Sequence, residues 1–353
     1  MSELPVEVIR IDMVVPHPDP ETTSLEVVVI GGWQSVVKKD SFKDGDLCVY
    51  FPLDAVIPLW LSDAMNVTKF LSKGRVKAVR LRGEPSYGLP MPVSFIKNAF
   101  EAQFVTEKNL YSFEEGRDLA DILGVTKWEP PLKLNAADEE TPHQKFLKYN
   151  KPENLRRFKD ILVEGERVVM TEKIHGMNSR HGLIDGEFMA GTHNVRCKEN
   201  PNTRVWYVFS DDMKSLLTHL SERDGNVKND VIMFGEIYGS GIQDLHYGFE
   251  NGQIGYRCFD ISVNGKYLDF GDFQELCWKY KIEMVPLLYQ GPFWMENVLS
   301  FSNEKSSLPG SNNIMEGLVI RPEIERMDSK VGRVTLKYVF DQYLTRKGGT
   351  EFH

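Results

Sequence analysis

A lysine closes a strand-like run in Glu172-Lys173-Ile174-His175-Gly176-Met177-Asn178. The apolar residues Val168, Val169 and Met170 before it read as a strand, and Gly176 after it as a turn. A lysine at a strand end beside a turn is poorly solvated and points into a cleft. That suits a nucleophilic amine, because desolvation favours the neutral form that attacks. A lone Lys-x-x-Gly is an ordinary surface turn. Lys-x-(Asp or His)-Gly-x-Asn is rarer, arising by chance in roughly one chain of this length per hundred at average residue usage.

Strands with charged ends follow in a fixed order. Phe234-Gly235-Glu236-Ile237 carries Glu236, and Tyr256-Arg257-Cys258-Phe259-Asp260 carries an aromatic followed by an acid. Met315-Glu316-Gly317-Leu318-Val319-Ile320-Arg321 carries Glu316 and Arg321, and Val334-Thr335-Leu336-Lys337-Tyr338 carries Lys337. Singly, each is a strand with a solvated end. What singles them out is their fixed order after Lys173. No GxxxxGK[ST] occurs, so a Walker-type phosphate loop is excluded.

At 353 residues the chain is long for one core, and two domains are expected. The first ~125 residues read as short strands with turns, the pattern of a small β-barrel. Strands are expected over Val6 to Val14, Leu25 to Ile30, Gln34 to Val37, Leu47 to Phe51 and Arg75 to Arg82, the last with a bulge between Lys77 and Arg80. Residues 126–150 break periodicity and read as a linker. From Pro152 the pattern is mixed α/β, with helices over Asn154 to Ile161 and Asp211 to Arg223. Domains are therefore set at 1–125, 126–150 and 151–353, giving an α+β chain.

The net charge of −9 argues against a generally basic nucleic-acid binder. Yet Lys69, Lys73, Arg75, Lys77, Arg80 and Arg82 follow one another with no acid between them. They form either a solvated strand face or a track for phosphates. No apolar run approaches the ~20 residues that span a bilayer, and Met1-Ser2-Glu3-Leu4-Pro5 shows neither a basic nor an apolar leader pattern, so export is not expected. Cys48, Cys197, Cys258 and Cys277 are scattered, with neither zinc nor disulfide spacing, so reduced thiols in a cytoplasmic protein are expected.

In their order the segments after Lys173 resemble motifs I, III, IIIa, IV and V of the covalent nucleotidyltransferases, and the chain looks like an ATP-dependent RNA ligase. The likeness spans about residues 150 to 345. The N-terminal part resembles an OB-fold module through Pro16-His17-Pro18-Asp19, Gly32-Trp33-Gln34, Gly45-Asp46-Leu47-Cys48-Val49-Tyr50 and Val79-Arg80-Leu81-Arg82-Gly83. An OB module ahead of the catalytic domain is similar to the fifth family of RNA ligases, whereas DNA ligases and capping enzymes place it after. The His175 form of motif I is similar to the phage RNA ligase 2 type.

The resemblance implies an OB-fold β-barrel followed by a mixed α/β nucleotidyltransferase domain built on antiparallel sheets. It implies Lys173 as the residue adenylylated by ATP, Mg²⁺ or Mn²⁺ held through water by Glu236 and Glu316, and Lys337 and Arg321 on the α-phosphate. It places Glu172, Gly176 and Asn178 around the nucleotide and assigns His175 and Asn178 to the steps that use RNA. Phe259 is either an adenine-stacking plate or a core residue. Arg156 and Arg157 either hold phosphates or face solvent on a helix, and His193 or Arg196 fills the motif Ia role. Motif V lacks a second lysine, for which Arg346 or Lys347 stands in. RNA ends, in a nicked duplex or free, are the implied partner of a monomer, with Arg75, Lys77, Arg80 and Arg82 on the RNA. The alternatives are a DNA ligase or GTP-using capping enzyme, or a non-catalytic RNA-binding protein.

Overall fold

The computed structural model describes residues 4–104, 111–129, 138–223, 225 and 228–347. The chain folds as two compact units, Met1–Glu129 and Pro130–His353.

In the first unit, alternation of apolar and polar residues builds two three-stranded sheets. One orders Glu7–Arg10, Leu47–Phe51 and Leu89–Pro92, and the other Met13–Pro16, Leu25–Ile30 and Trp33–Lys38. The expected first strand is thus split at Ile11-Asp12, where the chain passes between sheets. Val8, Val49, Phe51, Leu61 and Ile96 fill one core; Ile11, Val28, Ile30 and Cys48 fill another.

The basic run is not one strand. Thr68–Phe70 is a 3-10 turn, only Val79–Leu81 is extended, and no strand spans the expected bulge between Lys77 and Arg80. Arg75 leaves the proposed phosphate track: it is buried, bonds Asp54 Oδ1 from Nε at 2.9 Å and Nη2 at 2.6 Å, and stacks 3.5 Å from the Trp128 ring. Its charge is used inside the unit. Lys77, Arg80 and Arg82 are exposed.

The expected linker 126–150 is structured at both ends. Thr126–Lys127 pairs with Ala55–Val56 in the first unit, whereas Glu139–Glu140 pairs with Arg196–Cys197 in the second. Phe146 and Tyr149 are buried in the second unit's core. Residues 130–137 of that linker lie outside the described residues.

The second unit is built on two largely antiparallel sheets. The seven-stranded sheet orders Glu139–Glu140, Arg196–Cys197, Glu187–Thr192, Met177–Ile184, Val231–Gly239, Ile254–Val263 and Lys266–Tyr267. The five-stranded sheet orders Glu153–Asn154, Leu336–Val339, Gly317–Pro322, Arg167–Lys173 and Leu287–Pro292. Helix Asp211–Ser221 lays Met213, Leu216, Leu217 and Leu220 on the core beside the seven-stranded sheet, with Ser210 capping its first turn through the Met213 N–H. The helix expected over Asn154 to Ile161 is absent: Glu153–Asn154 pairs in parallel with Leu336 and Lys337, and turns follow. Two edge bonds from Glu153 and Leu155 to the Leu336–Val339 region outweigh a weak local helix preference. All four cysteines are buried and unpaired.

His181 is fully buried between Phe209 and Tyr256, with Nε2 on the Val205 carbonyl at 2.8 Å. Burial pulls its pKa from 6.5 down to about 4. The folded chain therefore resists taking a proton that the unfolded chain accepts, and stability falls as pH drops from about 6.5 through 4. The full effect is about 3 kcal/mol. Urea titrations across that range should show a pH slope that His181→Gln reduces by close to one proton; an unchanged slope would contradict this.

Candidate active site

Strand register places the site. Lys173, the last residue of its strand, pairs with Gly317, so Glu316 arrives beside it from the adjacent strand. Lys173 Nζ lies 2.6 Å from Glu316 Oε1, with Glu316 buried and the lysine side chain 27% exposed. The register Thr171–Val319–Lys337 puts Lys337 on the same face of this sheet as Lys173. Gly317 is required here: a Cβ would fall on the Tyr338 carbonyl oxygen and push the strands apart.

The chain then crosses to the seven-stranded sheet through Gly176. Its N–H donates to Glu236 Oε1 at 3.1 Å, and a Cβ would collide with the Ile237 carbonyl. Asn178 pairs with Glu236 in register, so both reach the same face. Burial pushes the Glu236 carboxyl up to about 8; the neighbouring Lys173 ammonium opposes this and the Glu316 carboxylate adds to it. The two acids thus approach one amine from two sheets. Phe259 is the extra residue at a bulge, where Gly235 pairs with Cys258 and Phe234 with Asp260. It is half-buried, with its ring 4.8 Å from that of Tyr149.

Three side-chain oxygens around Lys173 are buried without a hydrogen bond: Glu172 Oε1, Asn178 Oδ1 and Glu316 Oε2. Native interiors seldom leave such atoms unmatched, and a cluster of them marks where a ligand's donors or a cation would sit. Glu172 already accepts from the Ser307 N–H at 2.7 Å, and burial raises its pKa. Among the described residues no cluster of three or more His, Cys, Asp or Glu could cage a metal. Two carboxylates nevertheless suit Mg²⁺ or Mn²⁺, since Mg²⁺ commonly keeps water and completes its shell with substrate phosphates.

His175 is clamped by residues that sequence reading largely missed. Its backbone N–H donates to the Tyr247 hydroxyl at 2.7 Å. Its Nε2 lies 2.9 Å from Asp244 Oδ1, and its Nδ1 2.9 Å from the Tyr343 hydroxyl. Nε2 thus faces the acceptor-only carboxylate and, at 3.4 Å, the donor Nη2 of Arg346, while Nδ1 faces the tyrosine hydroxyl, which can donate or accept. Arg346 bonds both Asp244 oxygens at 2.9 and 3.1 Å and stacks 3.6 Å from the Tyr343 ring. Arg346, one of the two stand-ins for a second lysine, thus reaches the site through His175. Asp244 sits in the turn after the Glu236 strand, where only its distance along the chain hid it.

Other expected site residues lie elsewhere. Arg321 pairs across from Val169, four residues along from the Lys173 level. Its Nη1 binds Asp260 at 3.0 Å and Glu325 at 3.1 Å in a buried network with Arg333 and Tyr149. Arg321 therefore serves the fold and not the α-phosphate. Arg156 bonds Asp341 at 2.7 Å and stacks 4.3 Å from Tyr338. Arg196, in the short strand between Glu139–Glu140 and Glu187–Thr192, lies 3.4 Å from Glu140 and donates to the Thr141 carbonyl. The pairing of Met177–Ile184 with Glu187–Thr192 ends at Ser179 and Thr192, and His193 lies in the bend that follows.

An amine at the end of one sheet, facing acids from both, is the arrangement of a covalent nucleotidyltransferase. The comparisons narrow this class. A family model described as RNA ligase matches residues 166–339, and an OB-fold domain model matches residues 6–93. The chain thus carries an RNA ligase domain preceded by an OB-fold domain. No curated protein sequence matches. Among solved structures, a Naegleria gruberi RNA ligase point mutant with ATP and Mn superposes with a TM-score of 0.76 at 24% identity, covering 96% of this chain and 98% of that one. The same ligase with PPi gives 0.74 at 23% identity, covering 96% and 97%. The shared fold thus runs nearly end to end.

Removing Asp244 strands a histidine and an arginine that are largely buried. Asp244→Ala should lower unfolding free energy by about 2–3 kcal/mol, and Tyr343→Phe by about 1. In a double-mutant cycle, Asp244→Ala and His175→Ala should couple by at least ~0.5 kcal/mol. Strict additivity would show that these side chains do not act as a unit.

Proposed function

We propose that the protein joins RNA 3′-OH and 5′-phosphate ends at the expense of ATP, with Lys173 as the nucleophile. The observation that carries this is the Lys173–Glu316 pair at 2.6 Å, with Glu236 opposite, inside the segment matched by the RNA ligase model.

An ordinary lysine is protonated at neutral pH and does not attack. When bound at Glu236 and Glu316, a divalent cation would take up the carboxylate that now holds the ammonium, favour the neutral amine and offset charge on the α-phosphate. Lys173 Nζ attacks the α-phosphorus; the bond to pyrophosphate breaks, the amine proton leaves to solvent, and lysyl-AMP remains. Lys337, on the same sheet face, stabilises charge on the phosphate oxygens. The Glu172 Oε1 acceptor suits the 6-amino group of adenine, where guanine carries a carbonyl. Phe259, half-exposed at its bulge, offers the base a ring face.

An oxygen of the RNA 5′-phosphate then attacks the lysyl-AMP phosphorus. The P–N bond breaks, the amine is restored, and a 5′–5′ pyrophosphate cap forms. The 3′-OH attacks the capped phosphate and AMP leaves. His175, held by Asp244 and Tyr343 next to the nucleophile, is placed for these RNA-dependent steps, with Asn178 beside it. The protein acts as a monomer. Among the described residues no helix is long and apolar enough to cross a membrane, and the four buried free thiols suit a reducing cytoplasm.

The test is a sealing assay on a nicked duplex, with RNA or DNA on each side of the break and ATP or GTP supplied. Sealing with ATP and RNA ends is expected; sealing confined to DNA, or label transfer from GTP alone, would overturn the proposal. Glu316→Ala should lose lysine adenylylation by at least a hundredfold, about 2.7 kcal/mol. His175→Ala should still form enzyme–AMP yet pass it poorly to an RNA 5′-phosphate. Equal loss of the first step in both variants would contradict this division.

A further inference from the structure

Asp244 is held in the way arginine holds a phosphate. Its Oδ2 accepts from Arg346 Nε at 2.9 Å and its Oδ1 from Arg346 Nη2 at 3.1 Å, with His175 Nε2 2.9 Å from the same Oδ1. The planar guanidinium grips two oxygens at once, a fork that fits carboxylate and phosphate alike. The fork is fixed from behind. The Arg346 guanidinium lies 3.6 Å from the centroid of the Tyr343 ring, and its Nη1 donates to the Tyr343 carbonyl at 2.8 Å. The Tyr343 hydroxyl meets His175 Nδ1 at 2.9 Å, so imidazole and guanidinium are both set toward one point.

The carboxylate at that point stands on an anchored turn. Gln243 is buried and donates from Nε2 to the Gly176 carbonyl at 3.1 Å, and Leu245 packs in a buried cluster with Tyr247 and Tyr343. The Asp244 side chain is 19% exposed, so its own rotation is what vacates the fork.

The fork stands one side chain from the nucleophile. His175 Nδ1 is 3.9 Å from Glu316 Oε2, and Glu316 Oε1 is 2.6 Å from Lys173 Nζ. In the reaction proposed above, groups more highly charged than a carboxylate come to this place. An RNA 5′-phosphate must reach the phosphorus carried by Lys173, and pyrophosphate must leave it. A terminal phosphate bears about −1.5 to −2 charges near neutral pH and three acceptor oxygens. It therefore competes with Asp244 for the fork, whereas an internal phosphodiester has no more charge than the carboxylate it would displace.

We propose that His175 and Arg346 form a binding site for a terminal phosphate, and that the Asp244 carboxylate fills it until that phosphate arrives. Asp244 is then a specificity-determining residue, since only a ligand richer in charge than itself displaces it. This deepens the RNA ligase reading and rests on it for the two sources of the phosphate, the RNA 5′ end and the β,γ-phosphates of ATP.

Asp244→Asn keeps an acceptor oxygen for the guanidinium and removes the competing charge. In the full-length chain it should bind a short fluorescent RNA strand with a 5′-phosphate about tenfold more tightly than wild type, ~1.4 kcal/mol. The same strand with a 5′-hydroxyl should bind as it does to wild type. Adding Arg346→Met to Asp244→Asn should cancel the gain. Inorganic pyrophosphate, titrated by calorimetry, separates the sources: a gain for the RNA strand alone assigns the site to the RNA end, and a gain for pyrophosphate alone assigns it to the β,γ-phosphates. No gain with either ligand, or an equal gain with the 5′-hydroxyl strand, would overturn the proposal. The wild type gives a second reading that needs no change at Asp244. With carbon-13 histidine, the ring signal of His175, assigned by its loss in His175→Gln, should move when the 5′-phosphorylated strand or pyrophosphate is added and stay in place with the 5′-hydroxyl strand. A signal unmoved by both phosphates contradicts the proposal whatever the variants do. Enzyme–AMP formation by the wild type is measured alongside; its absence would sink the ligase reading, while the phosphate titrations still decide whether the fork binds.

Discussion

Lys173 and Glu316 meet at 2.6 Å because two antiparallel strands pair in one register, with Lys173 opposite Gly317. A slip of one residue would turn the lysine to the opposite face and move the acid away. Much of the second unit serves that register. Gly317 allows the neighbouring strand to close in, and Gly176 lets the chain turn under the Ile237 carbonyl toward Glu236. Burying an ammonium beside carboxylates is stable only if the charges stay matched. In the proposed reaction, bound ATP and a divalent cation would redistribute the same charges and free the amine to attack.

A second buried ionic group holds the two sheets together. Asp260 comes from the seven-stranded sheet and Arg321 from the five-stranded one. Asp260 uses one oxygen for Arg321 at 3.0 Å and the other for Arg333 at 2.7 Å, with the Tyr149 hydroxyl at 3.0 Å. Glu325 closes the group through both arginines. Such a network need not add net stability over apolar packing, but removing one member leaves the others unpaired. Its effect on function is positional: it fixes the spacing between the face that carries Lys173 and Lys337 and the face that carries Glu236 and Asn178.

What could be read in the sequence follows from how local each signal is. Lys173, Gly176, Glu236, Glu316 and Lys337 stand in or beside strands whose apolar pattern is unambiguous, so order along the chain is enough to gather them. Arg321 has the same local appearance as Lys337, and only its partners Asp260 and Glu325 reveal that its charge is already used. Arg75 misleads for the same reason, since Asp54 and Trp128 lie far from it in sequence. The stretch from Asn154 to Ile161 loses its expected helix to an edge pairing with Leu336 and Lys337, which no local pattern announces. Asp244 and Tyr343 carry no motif, and they matter only because the fold delivers both to the ring of His175.

The most direct test of Lys173 as the nucleophile is to find where AMP attaches. The full-length protein is incubated with ATP and Mg²⁺ or Mn²⁺, digested under conditions that preserve the phosphoramidate, and the adenylylated peptide is sequenced by mass spectrometry. One adduct is expected, on Nζ of Lys173, and it should disappear when pyrophosphate is added back. Label on Lys337 or on any other residue, or no adduct from a folded protein with ATP and metal present, would contradict the assignment.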